Sequence, residues 1–164
     1  MPVYEYVGPA EIRDSIPLEG GCRVRSTEDL DRFMASREPD ERGELFTFVI
    51  DVSGDLRVAP RRSEHVACAG GGMVLAAGEI GFSPSPGRWA VTYASNQSTG
   101  YCPSPTSWPA VRRALEQAGI EPGSGFTHPV IFRRCTTCHE WNTVKELFFV
   151  CVFCDSDLPQ QETR

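Results

Sequence analysis

Cys135-Thr136-Thr137-Cys138 and Cys151-Val152-Phe153-Cys154 are two Cys-x-x-Cys pairs with twelve residues between them. Each pair is a tight turn that points two thiolates the same way. Two such turns at the ends of a short hairpin complete a tetrahedral site of four sulfurs with zinc–sulfur distances of about 2.3 Å. Soft thiolates without carboxylates select zinc over magnesium or calcium, and four of them leave no position for a catalytic water. The spacing therefore predicts a zinc ribbon in which Cys135, Cys138, Cys151 and Cys154 hold a structural Zn2+; a disulfide pair or an iron site are the alternatives. A segment this short buries too little apolar surface to fold without its metal.

Outward from the cysteines, Val130-Ile131-Phe132 predicts the strand entering the ribbon, and Leu147-Phe148-Phe149-Val150 its other arm. Gly123-Ser124-Gly125 marks a linker. The division that follows is an α+β core domain over 1–126 and a zinc ribbon with a short tail over 127–164. Within the core, Thr106-Ser107-Trp108-Pro109 opens a helix over 106–118 with Val111, Leu115 and Ala118 on one face and Gly119 as its stop. Ser26-Thr27-Glu28-Asp29 starts another, with a hydroxyl cap, acids in the first turn, and Leu30, Phe33 and Met34 on one face; Pro39–Gly43 ends it. Glu44–Val52 predicts the strongest strand, turning at Ser53-Gly54-Asp55 into Leu56–Ala59. Met73–Phe82 and Trp89–Ala94 are expected to pair antiparallel across Ser83–Gly87. Val3–Val7 reads as a short strand and 8–22 as irregular. The predicted architecture is α+β: an antiparallel β-sheet with two packed helices and a C-terminal zinc ribbon of four cysteines.

Hydrophobic content of 40% with 23% charged residues belongs to a globular protein rather than a disordered one. The net charge is −6, and from Thr127 onward four basic residues face five acidic ones. Electrostatic binding to phosphates needs clustered Lys and Arg, so non-specific nucleic-acid binding is disfavoured. The first residues carry no basic leader or apolar run, and no segment reaches the roughly 18–20 apolar residues of a membrane span. Seven cysteines, four of them in metal spacing, fit a reducing cytoplasm.

A second informative stretch runs from His65 to Pro103. It holds His65, Cys68, Gly70-Gly71-Gly72, Ala76-Ala77-Gly78-Glu79 and the loop Ser95-Asn96-Gln97-Ser98-Thr99-Gly100-Tyr101-Cys102-Pro103. An acid, an imidazole, hydroxyls and amides are the inventory of a small acid/base site if the two strands pair. The bland alternative is a solvated Glu, a structural His and an ordinary turn. His65-x-x-Cys68 with Cys102-Pro103 falls short of a deaminase zinc site, which needs His-x-Glu and Pro-Cys-x-x-Cys. Cys102 ahead of a helix is a candidate nucleophile with His65 or His128 as base, or else a small buried hydrophobe. The triple glycine lacks the Gly-Lys-Ser/Thr of a phosphate loop. His139 is a substitute ligand that four cysteines do not need.

The order His65, Ala77-Gly78-Glu79, Ser98-Thr99-Gly100-Tyr101-Cys102-Pro103 and then a helix resembles the segment of plant IQ-motif calmodulin-binding proteins and related bacterial toxin-like domains, over about 46–120. Ser98, Tyr101 and Pro103 match, while Gly100 stands where that family has a loop His. No IQ motif is present, so calmodulin binding does not carry over. The expectation is a small cytoplasmic enzyme, toxin- or effector-like, with Glu79 as general acid/base and His65 assisting. Ser98 and Tyr101 would hold a polar substrate such as a nucleotide or a protein side chain. The alternative is a non-catalytic protein-interaction module in which the ribbon and the Asn96–Tyr101 loop form the docking face.

Overall fold

In the computed structural model, which describes residues 1–17 and 19–164, the sheet is built on Phe46–Asp51 (β2), buried at every position. Phe46, Phe48 and Ile50 face one side, and Thr47, Val49 and Asp51 the other. A near-continuous apolar run of this kind needs cover on both faces. β2 pairs antiparallel with Leu56–Ala59 (β3) on one side and Val74–Ser85 (β4) on the other. Cys22–Val24 (β1) and Arg88–Ala94 (β5) complete a five-stranded antiparallel sheet of order β1-β3-β2-β4-β5.

One face carries the main core. Phe46, Phe48, Ile50, Leu56, Val58, Ala76, Ile80 and Phe82 pack beneath two helices. The first, Thr27–Ala35 (α2), is capped by Ser26, whose hydroxyl accepts from the Asp29 N–H, and it buries Leu30, Phe33 and Met34. The second, Trp108–Gln117 (α4), has Pro109 in its first turn, buries Ala110, Val111, Ala114 and Leu115, and ends at Gly119 with φ +77°. On the opposite face Val49 and Ala77 lie beneath Tyr4, the one-turn helix His65–Cys68 (α3) and Tyr101.

The predicted sheet and two packed helices are thus present, with four local corrections. Val3–Val7 is not a full strand; only Tyr4 bridges to Val74. The 8–22 segment is more regular than its Pro and Gly content predicts: Ala10–Asp14 forms a helical turn (α1) behind Pro9, and β1 begins at Cys22; Leu18 lies outside the described residues. α2 ends at Ser36, before Pro39. β4 runs three residues past Phe82, because the reversal is the two-residue Pro86-Gly87 turn, with Gly87 at φ +73°.

Downstream of Gly123–Gly125 the chain stays tied to the sheet. Ser95 bridges to His128, the Thr127 N–H donates to the Ala94 carbonyl, and Ile131–Arg134 (β6) pairs with Trp141–Val144 (β7). Among the described residues, no helix is long and apolar enough to cross a membrane.

Candidate metal centre

The β6–β7 hairpin places Cys135 and Cys138 in its turn, and Cys151 and Cys154 lie in the loop that follows β7. The expected second arm at Leu147–Val150 is therefore corrected to Trp141–Val144. Glu146 and Leu147 have positive φ (+53° and +60°), which no extended strand tolerates.

The two Cys-x-x-Cys turns are near copies. In the first, the Thr137 and Cys138 N–H groups point at the Cys135 sulfur (3.4 and 3.5 Å) and the His139 N–H bonds the Cys135 carbonyl. In the second, the Phe153 N–H points at the Cys151 sulfur (3.4 Å) and the Asp155 N–H bonds the Cys151 carbonyl. His139 and Asp155, each directly after the second cysteine, are both left-handed (φ +67° and +63°). That reversal presents both sulfurs of a pair to one point.

All four Sγ atoms lie within 4.8 Å of one another. Cys135–Cys154 and Cys138–Cys151 are 3.6 Å apart. A tetrahedron with metal–sulfur bonds of about 2.3 Å has edges of about 3.8 Å. Disulfide-bonded sulfurs sit at about 2.05 Å, and all seven cysteines are free. Among the described residues this is the one group of three or more His, Cys, Asp or Glu side chains placed to share an ion. The donor set and its dimensions fit a metal-bound ribbon.

The surroundings favour thiolate at Cys151 and Cys135. Burial opposes ionisation of Cys151, but N–H groups from Phe153, Asn142 and Cys154 outweigh it and bring the thiol down to about 6. The N–H bonds from Cys138 and Thr137 likewise lower Cys135. For Cys138 the Glu140 bond pulls downward, yet burial and the neighbouring sulfurs push it up to about 12. Four thiolates so close repel one another unless a cation neutralises them. His139 is exposed and outside the cluster.

Asn142 is the residue that sequence reasoning missed. Buried on β7, it donates through Nδ2 to the Cys151 sulfur (3.4 Å) and accepts from the Val152 N–H (2.9 Å), which orients the second turn. No motif announces an Asn in this role.

The residues of the second candidate site are arranged as follows. His65 Nε2 donates to the Gly78 carbonyl (2.8 Å). Burial lowers its pKa from the ordinary value, with the Gly78 bond and the carboxylates of Glu79 and Glu64 pulling the other way. Glu79 is half-buried on β4, opposite Thr47. His65 and Glu79 therefore share the second face of the sheet. Tyr101 is fully buried, and its hydroxyl donates to the Gly72 carbonyl (2.6 Å). Ser98 is buried and accepts from the Tyr101 N–H (3.3 Å). The described clefts around Cys22, Trp141 and Gln117 include none of these four residues in their lining. Cys68 and Cys102 are each pushed up to about 12 by burial, so both are neutral thiols.

The amide-rich loop is fastened by Asn96. Fully buried, it donates to the Pro103 carbonyl (2.9 Å) and the Val130 carbonyl (2.7 Å) and accepts from the Val130 N–H (2.7 Å). It joins the loop after β5 to the entry of the ribbon. Gly78 makes room for that loop: a Cβ there would meet the Ser95 carbonyl group.

Comparison of the chain with protein-family models, with curated proteins and with solved structures finds no match.

Proposed function

We propose that this protein is a docking module whose four-cysteine ribbon, held by zinc, presents an apolar tip to a protein partner. The observation that carries this is the exposure of Leu147, Phe148, Val152 and Phe153 at 72, 69, 74 and 63%. All four fall in one seven-residue span around Cys151, on backbone that the metal would hold in place. Large apolar side chains clustered on a rigid tip mark an interaction surface. Asn96, Ser98 and Tyr101 are buried, leaving Thr99 as the exposed residue of the loop, so the proposed docking face is placed on the ribbon. Four sulfurs at tetrahedral spacing, with no oxygen donor, are the chemistry that selects zinc. A site saturated by four thiolates offers no open position for catalysis, which also favours a structural role.

The test is affinity capture with wild type and with a Phe148→Ser/Phe153→Ser variant that retains its metal. Partners lost with the variant, and lost again on chelation, support the reading. An identical set captured by both proteins would overturn it.

A second reading, acid/base catalysis, draws on the shared face of His65 and Glu79 and on the resemblance of that segment. With Nε2 committed to Gly78, Nδ1 is the basic nitrogen of the neutral ring. Screening against nucleotides, NAD and peptides, followed by Glu79→Gln, tests it. An activity that survives Glu79→Gln would remove Glu79 from the role.

A further inference from the structure

A cleft of about 850 Å3 lies between the N-terminal segment and the root of the ribbon, lined by Val3, Tyr4, Val7, Met73, Trp141 and Arg164 among others. The Arg164 guanidinium sits between two aromatic rings, 4.7 Å from the Tyr4 centroid and 4.6 Å from that of Trp141. It donates to the Cys102 carbonyl and, through Nε, to Glu162 (2.8 Å). Two ring faces and a carbonyl are the elements that recognise a planar cation: the rings supply negative quadrupoles, and the carbonyl fixes the plane.

The cleft is larger than its occupant requires. The Arg164 guanidinium forms part of its wall, the open volume lies beside it, and Val3, Val7 and Met73 remain exposed along it at 46, 36 and 48%. The Tyr4 hydroxyl is buried without a hydrogen-bond partner among the described residues. A tether for the tail would need neither the exposed apolar wall nor the spare volume. Of the charged residues on the lining, Glu5 favours a cation, while Arg134 and Arg164 are themselves cations.

We propose that this cleft is a guanidinium clamp for the arginine side chain of a peptide partner, and that Arg164 occupies it as an internal competitor. Tyr4 and Trp141 hold the cation, the Cys102 carbonyl accepts from it, and Val3, Val7 and Met73 take the apolar residues that flank it. This site is separate from the ribbon tip and stands or falls independently of it.

The experiment titrates the full zinc-loaded chain with N-acetyl-arginine amide, reading the indole N–H of Trp141 by NMR. N-acetyl-citrulline amide is the uncharged control of the same shape. Arg164→Ala is expected to bind the arginine probe about tenfold more tightly than wild type, the factor for a resident that fills the site about nine-tenths of the time. Citrulline is expected to bind at least about tenfold more weakly than arginine, since the cation–π attraction is gone. Trp141→Leu should abolish binding; if that change costs the ribbon its metal, Tyr4→Leu replaces it. Equal affinity for arginine and citrulline would overturn the proposal. So would equal affinity of wild type and Arg164→Ala, or the absence of a saturable shift at Trp141. An Arg164→Ala protein that is less stable yet opens no site would make Arg164 a tether only, and would also overturn it.

Discussion

Asn96→Asp isolates what joins the sheet to the ribbon, because it changes one donor group and no volume. In the native chain Nδ2 gives both of its hydrogens away, to Pro103 at 2.9 Å and Val130 at 2.7 Å, while Oδ1 takes the Val130 N–H. An ionised carboxylate would set an anionic oxygen against two carbonyl oxygens in a fully buried place. The accessible state is the protonated acid, which donates one bond and leaves the other carbonyl unpartnered. Keeping a group of ordinary pKa near 3.9 protonated at pH 7 costs about 4 kcal/mol. The missing bond adds about 1 kcal/mol. The penalty is therefore about 5 kcal/mol at pH 7 and about 3 kcal/mol at pH 5.5. The sign follows from linkage: the folded-state pKa of the new acid is raised above its unfolded value, so stability is lost as pH rises from about 4. Asn96→Ala leaves three backbone groups unpartnered and should cost about 3–5 kcal/mol without that pH dependence. Urea unfolding of the three proteins at both pH values, with zinc content followed in parallel, reads the difference. A penalty for Asn96→Asp below about 1 kcal/mol, or one that grows on acidification, would refute the reasoning.

Cys151→Ser should release the bound metal and unfold residues 127–158 while leaving the sheet intact, since structural zinc in small modules supplies about 10–16 kcal/mol of apparent binding energy; elemental analysis that finds no zinc in the native protein would end this prediction. Gly78→Ala should fail to fold or lose more than about 4 kcal/mol, because its Cβ would lie 2.6 Å from the Ser95 carbonyl carbon and 3.1 Å from the Asn96 Cα. A soluble variant with near-native melting behaviour would show that the loop yields after all. His65, half-buried and with a pKa lowered below the ordinary 6.5 by desolvation, lets the unfolded chain bind the extra proton, so its contribution is present above that value and lost as pH falls beneath it. His65→Gln keeps a donor for the Gly78 carbonyl and should flatten the stability profile between about pH 7.5 and 5.5. Parallel profiles for the two proteins would contradict the assignment.

The four-cysteine cluster was legible because its chemistry is local: two residues between thiols dictate a turn, and four sulfurs brought together could hold a metal ion. β2, α2 and α4 were legible for a similar reason, since Phe46–Asp51 and the spacing of Leu30, Phe33 and Met34 encode burial directly. The second ribbon arm was not. Leu147-Phe148-Phe149-Val150 has the composition of a strand, but the turn at Cys135–Cys138 closes a hairpin with the nearest residues, Trp141–Val144, which leaves Leu147 and Phe148 exposed while Phe149 packs on the ribbon's own core. Asn96, Asn142 and Gly78 were equally silent, because their roles depend on partners 34, 9 and 17 residues away, and no local pattern reports a long-range hydrogen bond or a close backbone approach. Ser98 and Tyr101 read as polar groups available for a substrate; the fold turns both inward, where backbone donors and acceptors claim them. Residue type determined which groups this protein possesses, and the tertiary structure decided which of them are already committed, because a buried polar group must find its partner inside the molecule.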